Sequence, residues 1–237
     1  ATADYDGRKK TKFVLFALVA VVGTALLYFS GSGTLLLAVL IFIVTNLCFE
    51  VAQTLYDSFL GQVSTKDTVG RISGFAWGLG YLGGIVAMLL LRPFYEGGFA
   101  GDLEGHYKLT FPLVAAFFLL FSMPAFVYLK DLGNQQPLES LPSRLKVGVK
   151  KTLETIKNIK LYKNIAWFLV AFYLLNDALV TVFAFMPIFA RTTLGFSLGE
   201  LTKLFLFAQI LAFPAATFFG WLADRQGAKK ILLFSLL

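Results

Sequence analysis

Four polar residues occur at regular spacing inside a single apolar stretch of this chain. Asn46, Glu50, Gln53 and Asp57 are separated by 4, 3 and 4 positions, which places all four on one face of a helix. An ionisable group inside a membrane helix costs roughly 2.5 to 3.5 kcal/mol and usually faces a cavity or a partner. We interpret these residues as the wall of a water-accessible transport cavity; interhelical hydrogen bonding is the alternative.

A second polar group lies midway along the apolar stretch 162–190. Asn176 and Asp177 are adjacent there, and Tyr173 lies one turn earlier on the same side. A carboxylate near the bilayer midplane can carry a proton or pair with a substrate ammonium group. A structural pair with another helix is the alternative.

The composition indicates a membrane protein with several helical spans. Of the 237 residues, 57% are hydrophobic and only 15% are charged, and the mean hydropathy is +0.74. A soluble domain has about 25% charged residues, so this chain has too little polar surface to coat a soluble globule. The net charge of +7 would suit nucleic acid, but the basic residues flank apolar stretches. We expect contact with a lipid bilayer and none with nucleic acid.

The chain contains seven apolar segments that predict membrane helices. They are 12–30, 33–60, 71–92, 108–130, 162–190 and 198–221, with a seventh that begins at Ile231. Of the 21 basic residues, all but Arg92, Lys108, Arg191 and Lys203 fall at one side of the resulting topology. The positive-inside rule makes that side cytoplasmic.

The sequence contains no arrangement of residues that is typical of an enzyme active site. It has no Ser/His/Asp set, no phosphate-binding loop and no metal-ligand spacing, and Cys48 is its one cysteine. We therefore predict neither an enzyme nor a cofactor or metal site.

The stretch that begins at Arg71 is rich in glycine. Gly74 and Gly78 are spaced as small-xxx-small, as are Gly80 and Gly84, with Gly83 beside them. Such spacing predicts close helix packing, and a sliding or hinge surface is the alternative.

Residues 131–161 form the one substantial polar segment. Leu145, Val149, Leu153 and Ile156 recur there at helical spacing among basic residues. The pattern predicts an amphipathic helix on the membrane surface, and the segment is either a plain linker between two bundles or a regulatory element.

A short phrase occurs near both ends of the chain, and each copy precedes an apolar run. The first copy contains Asp4, Gly7, Arg8 and Lys9. The second contains Gly220, Asp224, Arg225, Gly227 and Lys229. A repeat of this kind in an apolar chain indicates a protein built from two related halves.

These phrases resemble the loop signature of the major facilitator superfamily, and residues 220–230 match it well. The resemblance implies an all-α membrane fold of two pseudo-symmetric six-helix halves, of which this chain covers about helices 3 to 8 and the start of 9. It also implies three parts: 1–130 in the first half, the cytoplasmic linker 131–161, and 162–237 in the second half.

A narrower likeness is to the vacuole effluxer family, which includes autophagy-related amino-acid permeases and their bacterial relatives. It is carried by residues 56–60, 70–84, 173–177 and 207–214. It implies a secondary active transporter that moves small solutes, plausibly amino acids, by alternating access. The superfamily's cavity-lining helices four and seven correspond to the two helices that carry the polar groups.

From this likeness we expect Glu50 and Asp177 to act in substrate or proton binding. We expect the two loop phrases to form a cytoplasmic latch that steadies one conformation. The expected setting is a bacterial cytoplasmic membrane and the expected assembly a monomer. The alternatives are a transporter-like sensor or scaffold that does not transport, a carrier of sugars or peptides, and an ion channel. The channel is disfavoured because no filter-like loop is visible in the sequence.

Overall fold

The chain is described by a computed structural model over residues 8–31, 33–96, 103–131, 149–150, 153–155, 157 and 163–235. Every regular element within these ranges is helical, which confirms the predicted all-α class. In chain order, the helical elements are α1 (Lys9–Leu26), a 3-10 turn (Leu27–Phe29), α2 (Leu35–Asp57), α3 (Leu60–Val63), α4 (Val69–Tyr95), α5 (Leu103–Tyr128), α6 (Lys163–Thr192), α7 (Leu198–Gln226) and α8 (Ala228–Ser235).

Six helical segments are long and apolar enough to cross a bilayer. They are Lys9–Phe29, Leu35–Val63, Val69–Tyr95, Tyr107–Tyr128, Lys163–Thr192 and Leu198–Gln226. Their positions match the first six predicted spans to within a few residues. The predicted seventh span coincides with α8, which is described as far as Ser235. Most of the predicted linker 131–161 lies outside the described residues.

The contacts divide the chain into two compact units. One unit comprises Ala1–Lys9 with Asp131–Leu201, and the other comprises Lys10–Lys130 with Thr202–Leu237. In the second unit α4 packs against α5, and α7 packs against α4 through the contacts given below. The boundaries at 130 and 161 that follow from a two-halves plan stay a prediction.

The second unit has a small core between α1, α2 and α5. Phe13, Ala17 and Ala52 are buried there, and Phe126 packs against them with its ring centroid 5.5 Å from that of Phe13. Most large apolar side chains lie outside this core; Leu36, for example, is 74% exposed. Such a surface is stable where lipid tails surround it.

The turn between α6 and α7 explains why α7 begins at Leu198. Ser197 and Glu200 form a capping box: the Ser197 amide donates to Glu200 Oε2 at 2.8 Å, and the Glu200 amide donates to Ser197 Oγ at 3.3 Å. Gly195 before it has φ of +72°, a conformation that favours glycine.

Helices α4 and α7 meet along a line of small residues, which we call the α4–α7 seam. A Cβ on Gly70 would collide with the Gly220 carbonyl, and one on Gly74 would collide with the Ala216 carbonyl. Further along the seam, a Cβ on Gly78 would lie 3.0 Å from Phe213 Cδ2. The backbones therefore approach as closely as glycine permits.

The seam continues to the middle of both helices. Gly84 lies directly against the side-chain amide of Gln209, whose Nε2 also contacts Met88 Sδ at 3.2 Å. Among the described residues, nothing lies within 4 Å of a Cβ built on Gly80 or Gly83. Of the five glycines predicted to pack, Gly74, Gly78 and Gly84 are thus in the seam, whereas Gly80 and Gly83 have no described residue against them.

Two glycine-to-alanine changes should have opposite effects on stability. In the full-length protein, Gly74→Ala should lower the free energy of unfolding by about 1 to 3 kcal/mol, because the added methyl group meets the α7 backbone. Gly80→Ala should raise it by about 0.5 to 1 kcal/mol, because alanine is the better helix former and none of the described residues lies against this position. Thermal unfolding in detergent measures both, and equal effects of the two changes would contradict the seam.

Candidate functional site

The predicted polar residues Asn46, Glu50, Gln53 and Asp57, which we call the polar stripe, lie on α2 and border its packing face. Ala52 is the buried residue of α2, and Phe59, just before α3, is also buried. Asn46, Glu50 and Asp57 are exposed, and Gln53 is half-buried. Asn46, Glu50 and Asp57 therefore lie on a face that the described residues of this unit leave exposed, and Gln53 lies at the border between that face and the packing face.

Hydrogen bonds along α2 orient the C-terminal part of the polar stripe. Gln53 Nε2 donates to Asp57 Oδ1 at 3.1 Å, one helical turn away. Thr54 Oγ1 donates to the Glu50 backbone carbonyl at 2.9 Å, so the Thr54 hydroxyl has its hydrogen-bond partner within the helix. The Gln53 amide and the Asp57 carboxylate consequently act as one polar unit.

A cavity of about 190 Å³ adjoins Gln53 between α1, α2 and α5. Its wall is mainly aromatic, and Gln53 and Ser122 are its polar members. The aromatic members are Phe13, Phe49, Tyr56, Phe118 and Phe121. Edge-to-face and tilted ring contacts, such as Phe49 with Phe118 at 5.9 Å between centroids, fix this wall. An amide among aromatic rings can receive a small solute that is partly apolar.

The second predicted polar group lies on α6, in the other unit. Tyr173, Asn176 and Asp177 are all exposed, and Tyr173 is 68% exposed. Their spacing along a continuous helix keeps the three on one side of α6. The side chains are thus available to a solute or to another helix.

The best-formed polar site in the described chain is the carboxylate of Asp224 at the first turn of α4. Its Oδ1 accepts the Gly70 amide at 2.6 Å and its Oδ2 accepts the Arg71 amide at 2.8 Å. The Arg71 guanidinium adds an ion pair, with Nε 3.4 Å from Oδ2. The Asp224 side chain is only 6% exposed, whereas that of Arg71 is 53% exposed.

This carboxylate does for α4 what a local capping residue normally does. Thr68 precedes α4 but makes no side-chain cap bond, because its hydroxyl accepts the Thr65 amide at 2.9 Å. The first amides of a helix lack partners within the helix and carry partial positive charge. Asp224 supplies both the acceptors and the negative charge from α7, although it is more than 150 residues away.

Apart from Asp224, each residue of the second phrase has its own structural position. Arg225 lies over the Trp221 ring, with Cζ 4.1 Å from the centroid, so its exposed guanidinium is held to the helix surface. Gly227 has φ of +90° and separates α7 from α8. Lys229 is exposed in α8. Gly220 lies in the seam.

The first phrase is described only at its end. Asp4 and Gly7 lie outside the described residues. Arg8 and Lys9 are half-buried, and each has an interaction partner.

Sequence reasoning missed the residues that receive Asp224. Gly70 and Arg71 were not among the predicted site residues, although Gly70 extends the four-residue spacing of Gly74 and Gly78 by one step. That extension was the available signal. The described ranges contain no group of three or more His, Cys, Asp or Glu side chains that could hold a metal ion.

Comparison with known proteins gives one family and several relatives. Residues 62–237 match the family described as vacuole effluxer Atg22 like. The chain is 27% identical over 234 residues to the uncharacterized MFS-type transporter YxiO of Bacillus subtilis strain 168, covering 97% of this chain and 54% of that protein. It is 26% identical over 172 residues to autophagy-related protein 22 of Yarrowia lipolytica, covering 65% and 29%.

A third relative is autophagy-related protein 22-1 of Penicillium rubens, which is 26% identical over 189 residues, covering 70% of this chain and 30% of that protein. The chain spans about half the length of the bacterial relative and under a third of the fungal ones. No solved structure matches it. The matches confirm the resemblance that was expected from the sequence motifs.

Neutralising the capping carboxylate should loosen the start of α4. In the full-length protein, Asp224→Asn should lower the free energy of unfolding by about 1 to 2 kcal/mol, because an amide nitrogen then faces a backbone donor. Hydrogen exchange should speed up at the Gly70 and Arg71 amides. Asp67→Asn, at an exposed acid of the preceding turn, is the matched control. Unchanged exchange at both amides in Asp224→Asn would contradict the capping role.

Proposed function

Because the chain belongs to the vacuole effluxer Atg22-like family, we propose that it is part of a secondary active transporter. In this proposal the full-length protein moves small solutes, with amino acids as the proposed class, across a membrane by alternating access. The observation that carries the proposal is the polar face of α2, a mainly apolar helix: Asn46, Glu50 and Asp57 are exposed on it and Gln53 borders the packing face.

A polar face of this kind supports transport because it is expensive inside a membrane. Three exposed polar side chains and a half-buried amide on one apolar helix need water, a solute or a polar partner. A central aqueous cavity supplies all three in turn. The neighbouring aromatic cavity adds apolar surface beside Gln53, so a solute with polar and apolar parts suits the site.

Asp177 and Glu50 are the proposed binding carboxylates. Each is an exposed acid in the interior of a membrane-spanning helix, and each can hold a proton or an ammonium group. Proton coupling and amino acids as substrates are parts of the proposal that rest on this chemistry. The proposed setting is a bacterial cytoplasmic membrane with the basic loops and the central linker inside.

Asp224 and the start of α4 form the proposed latch. Alternating access requires two bundles to separate at one membrane surface at a time. An aspartate of α7 that caps α4 and pairs with Arg71 links helices that the two-halves plan assigns to different halves. Breaking these bonds exposes two helix amides, so the contact favours the state in which this end is closed.

A transporter-like sensor or scaffold that does not transport is the second candidate. It would explain the same fold, and the extensive α4–α7 seam would then be a static joint. The in-register polar stripe favours transport over this role, because a sealed bundle has little use for it.

Counterflow into proteoliposomes, screened over amino acids, sugars and peptides with the full-length protein, tests the proposed function. We expect accumulation of at least one solute class, and a correctly inserted protein that accumulates none would favour the scaffold. With the solute identified, Asp177→Asn and Glu50→Gln should each reduce uptake by about tenfold or more, the effect of losing roughly 1.4 kcal/mol of binding. Glu154→Gln, at a 58% exposed acid outside the spans, is the control. Unchanged uptake and pH dependence in Asp177→Asn would remove Asp177 from the mechanism.

A further inference from the structure

The end of α4 that lies far from Asp224 carries a second group of charged and polar side chains. We call it the Glu96 cluster, and its members are Arg92, Glu96, Thr202 and Lys203. Arg92 Nε donates to Glu96 Oε2 at 2.6 Å, one turn apart. The Glu96 side chain is only 16% exposed, although Glu96 is the capping residue that follows α4.

Glu96 reaches beyond its own helix. Thr202 and Lys203 of α7 both lower the pKa of the Glu96 carboxyl group, which places the Thr202 hydroxyl and the Lys203 ammonium beside it. Thr202 is buried to 6% exposure in the first turns of α7. The carboxylate therefore joins the end of α4 to the beginning of α7, as Asp224 joins the end of α7 to the beginning of α4.

The two carboxylates stand at opposite ends of one seam. Helix α4 has 27 residues, so its ends are about 40 Å apart at 1.5 Å per residue. That length equals the thickness of a bilayer with its headgroup regions. One acid is thus near each membrane surface, and the small residues of the seam lie between them.

We propose that the Glu96 cluster is a second latch, which holds the α4–α7 seam closed at the membrane surface opposite Asp224. This inference rests on the proposed alternating-access function, in which the seam must open at one surface while it stays closed at the other. The Glu96 cluster is then released when the cavity opens at the membrane surface near Glu96. The Asp224 contacts are released when the cavity opens at the opposite surface, near Asp224. Both sets of contacts are formed in the conformation described, and each carboxylate is a positioning residue rather than a substrate ligand.

The test measures the two ends of the seam separately in the full-length protein, in a background without native cysteines. Spin labels at Leu90 and Phe207, which are each 62% exposed, report the Glu96 end. Labels at Phe75 and Phe218, which are 50% and 54% exposed, report the Asp224 end. Distances come from pulsed electron spin resonance in lipid nanodiscs.

Glu96→Gln should shift the Leu90–Phe207 distances to longer values by about 2 to 5 Å, between the scale of a helix shift at an interface and that of a one-turn displacement. It should leave the Phe75–Phe218 distances unchanged. Thr202→Val, which keeps the side-chain shape and removes the hydroxyl, should act in the same direction. Glu154→Gln is the matched control, because Glu154 forms an i,i+4 pair with Lys150 at 3.9 Å just as Glu96 does with Arg92.

Two results would overturn the second latch. One is an unchanged Leu90–Phe207 distance in both Glu96→Gln and Thr202→Val. The other is an equal change at both ends of the seam, which would indicate a general loss of packing. The distances need no substrate, so a lack of counterflow would count against the proposed transport and not against the latch.

The second latch should hold across neutral pH. The Arg92 hydrogen bond, followed by the Thr202 hydroxyl and the charges of Arg92 and Lys203, lowers the pKa of Glu96 despite its partial burial. A carboxyl group with a lowered folded-state pKa contributes stability that is present above its ordinary pKa and is lost as the pH falls through the folded pKa. The Leu90–Phe207 distance should therefore stay constant between about pH 5.5 and 8, above the range in which glutamate ordinarily titrates. A lengthening within that range would contradict a permanently charged Glu96.

Discussion

The two hydrogen bonds from the α4 amides to Asp224 are the contact on which the arrangement of the second unit depends. A helix that begins inside a membrane protein needs acceptors for its first amides, and α4 has none in Thr68. The acceptor comes from α7, so the start of α4 is complete only when α7 is docked. The glycines of the seam make that docking possible, because any side chain at Gly70 or Gly220 would hold the backbones apart. Cap and close packing are therefore two aspects of one contact.

The bilayer explains why a chain with so small a buried core can form a defined structure. The core of Phe13, Ala17 and Ala52 is built largely from small residues and a single ring, and bulky apolar side chains point outward. In lipid there is little hydrophobic gain from burying them, so helix association relies on close backbone approach and polar contacts. The glycines and Asp224 provide these two kinds of contact between α4 and α7. Polar side chains exposed on α2 are exceptions to the apolar surface and for that reason point to function.

Much of the fold follows from apolar length and charge alone, whereas the contacts between helices do not. The predicted span 71–92 became Val69–Tyr95, and 162–190 became Lys163–Thr192. The span 198–221 was drawn too short because Asp224 and Arg225 look like loop residues; α7 carries both to its end and stops at Gln226, just before Gly227 with its left-handed φ. Helices extend past the apolar core of a bilayer, so hydropathy underestimates their ends.

The sequence does not determine which face of a helix packs or which other helix it packs against. Gly74 and Gly80 have the same local signature, yet only Gly74 meets α7, since the two lie on different sides of α4. The pairing of Asp224 with Gly70 joins positions 154 residues apart, and no local pattern encodes such a distance. Conversely, the stripe from Asn46 to Asp57 was predictable because a single helix sets its geometry. The polar groups of α2 and the acids at the two ends of the α4–α7 seam thus lie on different helices. In the proposed transport cycle, the seam could therefore open and close without reorganising the polar groups of α2.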